Sequence, residues 1–362
     1  MIKTHNNISY FFGFSRWKQN SIKPFFQNEK IYFCKDLKEA IDYKIDKNSK
    51  IYIWGNKSID NIIEYATKNN IPLYRVEDGF IRSISLGVDF SQPYSLIIDS
   101  RGIYFDATKE SDLEHILNNY NFTDEILDRA KNIQNYLVKN RLSKYNIYQD
   151  IEIKLENKNK QKIILVIGQV EGDASLIYGA NNMKNIELLK KVYQTNSDAY
   201  IIYKPHPDVL TGKRKGNIED NIALQYCSTI EKEVSIDSLL KIIHEVHTMT
   251  SLVGFEALLR DKKVVCYGQP FYAGWGLTKD LYKNKRRKRK LSINELIAGA
   301  YILYPKYIDP TTLKLCEIEK VLEVLSKEKE LYHNSLLYRS KIKIKNFLKI
   351  KYYAILRHLL KN

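Results

Sequence analysis

Short apolar runs alternate with amphipathic segments of helical length along most of this chain, and no other feature restricts its fold as tightly. Ile51-Tyr52-Ile53-Trp54-Gly55 reads as a strand ending in glycine. Residues 59–68 then place Ile62, Ile63 and Ala66 in helical register. Residues 71–76 form the next strand, with Glu77-Asp78-Gly79 just past its end. Residues 96–99 and 103–105 flank a Ser100-Arg101-Gly102 turn and read as a hairpin. Residues 111–117 and 123–137 read as helices, the second with Thr123 as its cap and Ile126, Leu127, Ala130, Ile133 and Leu137 as its apolar stripe. A polar stretch rich in Lys, Asn and Gln follows, and a second series begins after it. Strands are expected at 163–167, 199–203, 245–249 and 263–267, and helices at 186–192, 236–243 and 255–259. Such alternation implies mostly parallel sheets with crossover helices, whose ligands sit beyond the carboxyl ends of strands.

The chain's 362 residues suffice for two α/β domains. The expected division is an N-terminal α/β domain at 1–150, a linker at 151–162, a second such domain at 163–325 and a basic tail at 326–362. No run of eighteen apolar residues marks a membrane span. Residues 1–8 lack the apolar core and cleavage site of a signal peptide. Cys34, Cys227, Cys266 and Cys316 are widely spaced with no CxxC pair, which favours a reducing cytoplasm and offers no zinc or disulfide framework.

The net charge of +16 is concentrated. Residues 283–290 hold seven basic side chains and residues 339–362 hold eight, with no acid after Glu330. A nucleic-acid binder would spread its charge over a folded face, so nucleic acid is not an expected partner. One loop and one tail instead suit docking on an anionic surface. In the tail, Lys341, Lys343, Lys345, Lys349 and Lys351 interleave with apolar residues. As a helix, Ile344, Phe347, Leu348, Tyr352 and Ile355 share a broad face that can lie among lipid headgroups. The plainer reading is a solvated helix capping the domain.

Four places carry possible chemistry. At residues 247–259 a strand end passes through a small polar turn into a helix, which Thr250 and Ser251 can cap. The free N–H groups of its first turn suit a phosphate. Tyr203-Lys204-Pro205-His206-Pro207 brings a cation and an imidazole on a stiff turn. Either could meet a ligand, or Lys204 a surface acid and His206 only solvent. Asp173, in Gly168-Gln169-Val170-Glu171-Gly172-Asp173-Ala174-Ser175, could act as nucleophile or base, or simply cap a helix. Glu77 and Asp78 are adjacent, so on an extended backbone their side chains diverge, and one or neither faces a cleft. Gly274-Trp275-Gly276 lacks the third glycine of a dinucleotide fingerprint, and His244-Glu245-Val246-His247 has the wrong spacing for HExxH. No metal is assigned.

As a set these motifs resemble the bacterial capsule β-Kdo transferase family, the KpsC type, within the capsule polysaccharide biosynthesis group. The blocks that carry the resemblance run in family order from about residue 50 to 325. They are Arg75-Val76-Glu77-Asp78-Gly79-Phe80-Ile81-Arg82-Ser83, Gly102-Ile103-Tyr104-Phe105-Asp106-Ala107-Thr108 and Ser143-Lys144-Tyr145-Asn146. Next come Gly168 to Ser175, Tyr203 to Val209 and Thr248 to Leu259. Gly268-Gln269-Pro270-Phe271-Tyr272-Ala273-Gly274-Trp275-Gly276-Leu277-Thr278 and Tyr304 to Thr311 complete the set. Family members commonly carry two transferase modules. This chain has length for one, and its wording is nearer the C-terminal module.

The resemblance implies an α/β, GT-B-like fold, with two Rossmann-like domains facing a central cleft. It implies transfer of Kdo from CMP-β-Kdo to a Kdo-bearing lysophospholipid, with retention at the anomeric carbon. Retention by two inversions needs an enzyme nucleophile, and by resemblance that is Asp173. Glu77 or Asp78 would deprotonate the acceptor, and Arg82 would bind it. Lys204, His206, Thr250, Ser251, Gly254, Glu256 and Gln169 would bind the donor, with no metal cofactor. The expected place is the cytoplasmic face of the inner membrane, as a peripheral protein, with other capsule biosynthesis and export proteins as further partners. A CMP-sialic acid type transferase and a non-catalytic capsule assembly or acceptor-binding protein are the competing readings.

Overall fold

The computed structural model describes residues 8–57, 59–84, 91–144, 146, 161–212 and 214–359, except for the side chains of residue 354 and residues 356–359. They form two compact α/β units, each with its own sheet.

In the first unit, β1 (Ile8–Phe12), β2 (Lys30–Cys34), β3 (Lys50–Trp54) and β4 (Leu73–Asp78) are parallel, in the order β2-β1-β3-β4. Helices Arg16–Ile22, Leu37–Asp42 and Asp60–Lys68 lie in the crossovers. Both faces of this sheet are covered. Tyr10, Phe12, Ile51 and Ile53 pack with Ile62 and Ala66 on one side. Phe11, Tyr52 and Val76 pack with Phe25 and Phe26 on the other. That two-sided burial is why these strands read as continuous apolar runs. β5 (Ser95–Asp99) then pairs antiparallel with β4, setting Glu77 opposite Ile97 and Asp78 opposite Leu96.

The second unit holds β6 (Ile163–Ile167), β7 (Tyr200–Lys204), β8 (Thr229–Ile230), β9 (Glu245–Thr248), β10 (Lys263–Cys266) and β11 (Lys279–Asp280). Their order is β11-β10-β9-β6-β7-β8, every pair parallel. Helix Asn185–Thr195 seals one face with Leu188, Leu189 and Val192, all fully buried. Each such side chain contributes about 1.5–3 kcal/mol of burial. The chain then returns to the first sheet, where β12 (Pro305–Ile308) pairs antiparallel with β5, and β13 (Leu315–Cys316) with β12. Helices Ile318–Asn334 and Leu336–Leu359 follow.

Each sheet has a point where its strand order reverses, between β1 and β3 in the first and between β6 and β9 in the second. The loops leaving those strands are the natural ligand positions of such sheets.

Several expectations are revised. The units are discontinuous and do not divide at 150 and 163. The first takes residues through Ile103, Lys144 and Asn146, and those from Ala300 onward. The second takes Tyr104–Ser143 and the described residues through Gly299. The pairing of β12 with β5 brings residues past 300 back to the first sheet. Residues 151–160 of the expected linker, Met1 to Asn7 at the N-terminus and Tyr145 lie outside the described residues. The hairpin at 96–105 does not form. Asp99 Oδ1 accepts the N–H groups of Arg101 and Gly102 at 2.9 and 2.8 Å, while its Oδ2 accepts the Tyr304 hydroxyl at 2.6 Å, so the chain leaves the sheet there. Glu77 and Asp78 lie within β4, not past its end, because β5 extends the ladder. Thr123 stands at its helix cap without a side-chain hydrogen bond.

Candidate functional site

At the reversal point of the second sheet, the loop after β6 meets the loop after β9. Gln169 is buried, and its Oε1 accepts the Thr250 N–H at 2.9 Å. Its Nε2 donates to Thr250 Oγ1 at 2.9 Å, which donates to Ser175 Oγ at 3.2 Å, which donates to Asp173 Oδ1 at 2.9 Å. The donors point one way along this relay and polarise one another toward the carboxylate. The Ser175 N–H adds a second bond to the same Oδ1, at 3.0 Å, and makes Asp173 the cap of helix Ala174–Gly179. Capping and a chemical role are therefore not exclusive. Oδ1 is held, and Oδ2 of this half-buried carboxylate accepts no hydrogen bond from the described residues.

The loop that presents Asp173 is built by Asn185, whose part sequence reasoning missed. This buried amide accepts from Gln169 N and donates to the carbonyls of Gln169 and Gly216, each at 2.8 Å. Its own N–H donates to Glu171 Oε1 at 3.0 Å. Gly172 precedes Asp173 at φ +79°, with open space where a Cβ would stand. Its glycine is needed for conformation, not for room.

The other expected donor residues divide. His206 Nδ1 accepts the Asp208 N–H at 3.1 Å, so a neutral ring carries its proton on Nε2. Lys204, at the end of β7, is buried, and its Nζ lies 3.4 and 3.5 Å from the carbonyls of Glu231 and Lys232. Burial pulls its pKa down to about 8, against the pull of Glu231. Ser251 Oγ caps helix Leu252–Leu258 through the Val253 N–H at 3.3 Å, and the Gly254 N–H turns back to Ser251 O. Those two donors are engaged within the protein. Gly254 is a packing requirement, since a Cβ there would stand 2.2 Å from the hydroxyl of Tyr272, which donates to Ser251 O. Glu256 is buried within the same short helix.

Three of the seven basic side chains of segment 283–290 are engaged within the second unit. Arg286 and Arg287 both reach Glu114, and Arg287 also donates to the carbonyls of Pro270 and Ala273. Arg289 pairs with Glu295. Lys283, Lys285, Lys288 and Lys290 are exposed. His244 and strand β9 after it are likewise held within the protein. His244 Nδ1 accepts the Ile163 N–H, and Glu245 engages both Lys162 and His247.

In the first unit, Glu77, next to Asp78 on β4, stands close to the end of β3. A Cβ on Gly55, just past β3, would lie 3.3 Å from Glu77 Oε2. Lys57 Nζ donates to Gly13 O at 2.6 Å, joining the loops after β3 and β1. The two acids are driven apart in acidity. Burial, with Asp78 beside it, holds the Glu77 carboxyl above the usual range, although Lys18 opposes this. Burial also pushes Asp78 up, but the Arg82 guanidinium and Lys18 outweigh it and hold Asp78 low. Arg82, expected to bind acceptor, is fully buried. It donates to Asp78 Oδ2 at 3.0 Å, to Ser83 and Ser91 Oγ at 3.1 and 2.6 Å, and to Ser91 O at 3.2 Å. Its geometry is that of a strut beneath Asp78. Lys18, which the sequence did not single out, lies with its Nζ 3.1 Å from the Trp54 ring centroid, and burial lowers its pKa.

Of the five tail lysines expected to dock, Lys341, Lys343, Lys345 and Lys351 are exposed, and Lys349 is half-buried. No helix among the described residues is long and apolar enough to cross a membrane.

The chain is similar to several known proteins. The family described as capsule polysaccharide biosynthesis protein matches residues 49–307. The capsule polysaccharide modification protein LipA of Neisseria meningitidis serogroup A is 43% identical over 330 residues, which are 90% of this chain and 46% of LipA. The chain thus spans about half the length of that relative. The lipopolysaccharide-processing protein LpsZ of Rhizobium meliloti is 37% identical, over 89% of this chain and 75% of its own. Among solved structures, the β-Kdo 2,7 transferase of Thermosulfurimonas dismutans KpsC superposes with a TM-score of 0.73 at 39% identity, covering 89% of this chain and 99% of that one. The β-Kdo 2,4 transferase of the same protein gives 0.77 at 31% identity, covering 89% and 98%. The expected α/β, GT-B-like fold class stands on these two likenesses. With the family match spanning most of its length, the chain belongs to the capsule polysaccharide biosynthesis protein family.

Proposed function

We propose that this chain is a retaining β-Kdo transferase that uses CMP-β-Kdo and acts on a Kdo-terminated glycolipid. The observation that carries the reading is the relay from Gln169 through Thr250 and Ser175 to Asp173, which orients one carboxylate oxygen and leaves the other unengaged. A nucleophile in double displacement needs that arrangement. Asp173 Oδ2 attacks the anomeric carbon of Kdo, the bond to the phosphate oxygen breaks, and CMP leaves with the electron pair. The acceptor hydroxyl then attacks the same carbon, the bond to Asp173 breaks, and the hydroxyl proton passes to a base. Two inversions restore the β configuration.

Glu77 suits the base, because its carboxyl is held high, whereas Asp78 is tied to Arg82 as an anion. His206, donating from Nε2, and Lys204 are the candidates to hold the CMP phosphate. The 39% identity to the 2,7 transferase, against 31% to the 2,4 transferase, supports a 2,7 linkage, although the TM-score is higher for the 2,4 transferase, 0.77 against 0.73. The test is incubation with CMP-Kdo generated in situ and a synthetic Kdo-terminated acceptor. A gain of one Kdo, with NMR showing a β-2,7 bond, is expected. An α product would overturn retention, and transfer of sialic acid in preference to Kdo would overturn the donor.

A further inference from the structure

We propose that helix Leu336–Leu359 is a docking surface for an anionic lipid bilayer, lying along it without crossing it. The helix has two unlike faces. Tyr338, Arg339, Ile342, Asn346, Lys349 and Tyr353 are half-buried and recur at helical spacing on the inner one. Arg339 fastens the start of the helix by donating to the carbonyls of Tyr332 and His333 at 3.0 and 2.8 Å. The outer face is apolar and open. Leu337 is 86% exposed, Ile344 59%, Phe347 57%, Leu348 60% and Ile355 58%. At 100° per residue, Leu337, Ile344, Leu348 and Ile355 project within about 40° of one another, along about 27 Å of helix. A row of this size left open to water marks a binding surface.

Charge decides what covers it. Lys341 and Lys345 flank the row on one side, Lys343 and Lys351 on the other, and all four are exposed. No acidic residue follows Glu330 in the sequence. An apolar row between lysine rims fits acyl chains below and anionic headgroups beside it. A second copy of the chain fits poorly, because a two-fold contact through this face would press the lysines of each copy against those of the other. The inference is independent of the transferase reading, since it concerns only this helix and a lipid surface.

The test is flotation of the full chain, without sugar substrates, on vesicles of phosphatidylcholine with or without phosphatidylglycerol. Binding is expected only when phosphatidylglycerol is present, and is expected to fall steeply as salt rises and the Debye length shrinks from about 10 to 3 Å. Each lysine near such a surface strengthens binding about fivefold, so replacing Lys341, Lys343, Lys345 and Lys351 by glutamine should weaken it by at least about a hundredfold. Ile344→Glu with Leu348→Glu should abolish it. Both side chains are exposed, so the Tm should not move. The inference is overturned if the wild type fails to float, floats equally on neutral vesicles, or floats as well with both glutamates in place. It is also overturned if sedimentation shows a dimer that those glutamates dissociate.

Discussion

Replacing Glu114 by alanine tests whether Arg287, in the basic segment 283–290, is a structural group. Glu114 is buried, with its side chain 4% exposed, and it pairs with Arg287, whose side chain is 3% exposed. Arg286, at 37% exposure, makes the second pair. Loss of the Arg286 pair costs at most about 1 kcal/mol, since that guanidinium can reach water. Arg287 cannot, and an unpaired charge left in the interior costs about 3–5 kcal/mol. The carbonyls of Pro270 and Ala273 still accept from Arg287, which favours the lower figure. A loss of about 3 kcal/mol in a unit of this size lowers Tm by about 6–12 °C. Differential scanning calorimetry of Glu114→Ala measures it. Glu114→Leu combined with Arg287→Leu removes both charges and should recover much of the loss. A fall in Tm below about 2 °C for Glu114→Ala would refute the internal role of Arg287.

Other outcomes follow from the same geometry. Gly254→Ala places a Cβ 2.2 Å from the Tyr272 hydroxyl and should cost about 1–3 kcal/mol by overpacking, with partial recovery when Tyr272→Phe is added; chemical denaturation measures both. The pKa of Lys204 falls from an ordinary 10.5 to about 8 on folding, so between those values the unfolded chain holds the extra proton. Stability should therefore rise with pH across that window by about 3 kcal/mol from this group, and Lys204→Met should flatten the rise. Glu77 must be ionised to accept a proton and is held high, so transfer should fall on its acid side at a pH above the ordinary carboxylate range. Lys18→Met removes the cation that opposes this and should move that limb to still higher pH. An unmoved limb would remove Glu77 from the role of base.

Much of the second unit was legible because its strands are buried on both faces. Residues 163–167 and 200–203 are unbroken apolar runs closed by Gly168 and by Lys204-Pro205, whereas Glu245-Val246-His247-Thr248 mixes polar and β-branched residues before its small polar turn. Asp173 and Gln169 were legible as residues of one loop, but their partner Thr250 lies about eighty residues on, and only the meeting of β6 with β9 brings it there. The fate of Arg82 was hidden for a similar reason. Beside an acidic pair an arginine reads as a ligand contact, and its full burial depends on Ser83 and Ser91 closing around it. The pairing of Arg286 and Arg287 was hidden because their counter-charge, Glu114, stands about 170 residues earlier. The unit boundaries misled because a four-residue strand at Pro305–Ile308, too short to signal its partner, returns the chain to β5.

In the proposed reaction Asp173 carries the sugar between the two displacements. Intact-protein mass spectrometry after brief exposure to CMP-Kdo without acceptor, followed by peptide mapping, reads that covalent state. A protein one Kdo heavier, with the adduct on Asp173, is the predicted result. Asp173→Asn should lose the adduct and lower transfer by at least about a thousandfold. Because asparagine caps a helix as well as aspartate does, its Tm should stay within a few degrees of wild type. Full transfer by Asp173→Asn, or an adduct on another residue, would contradict the account.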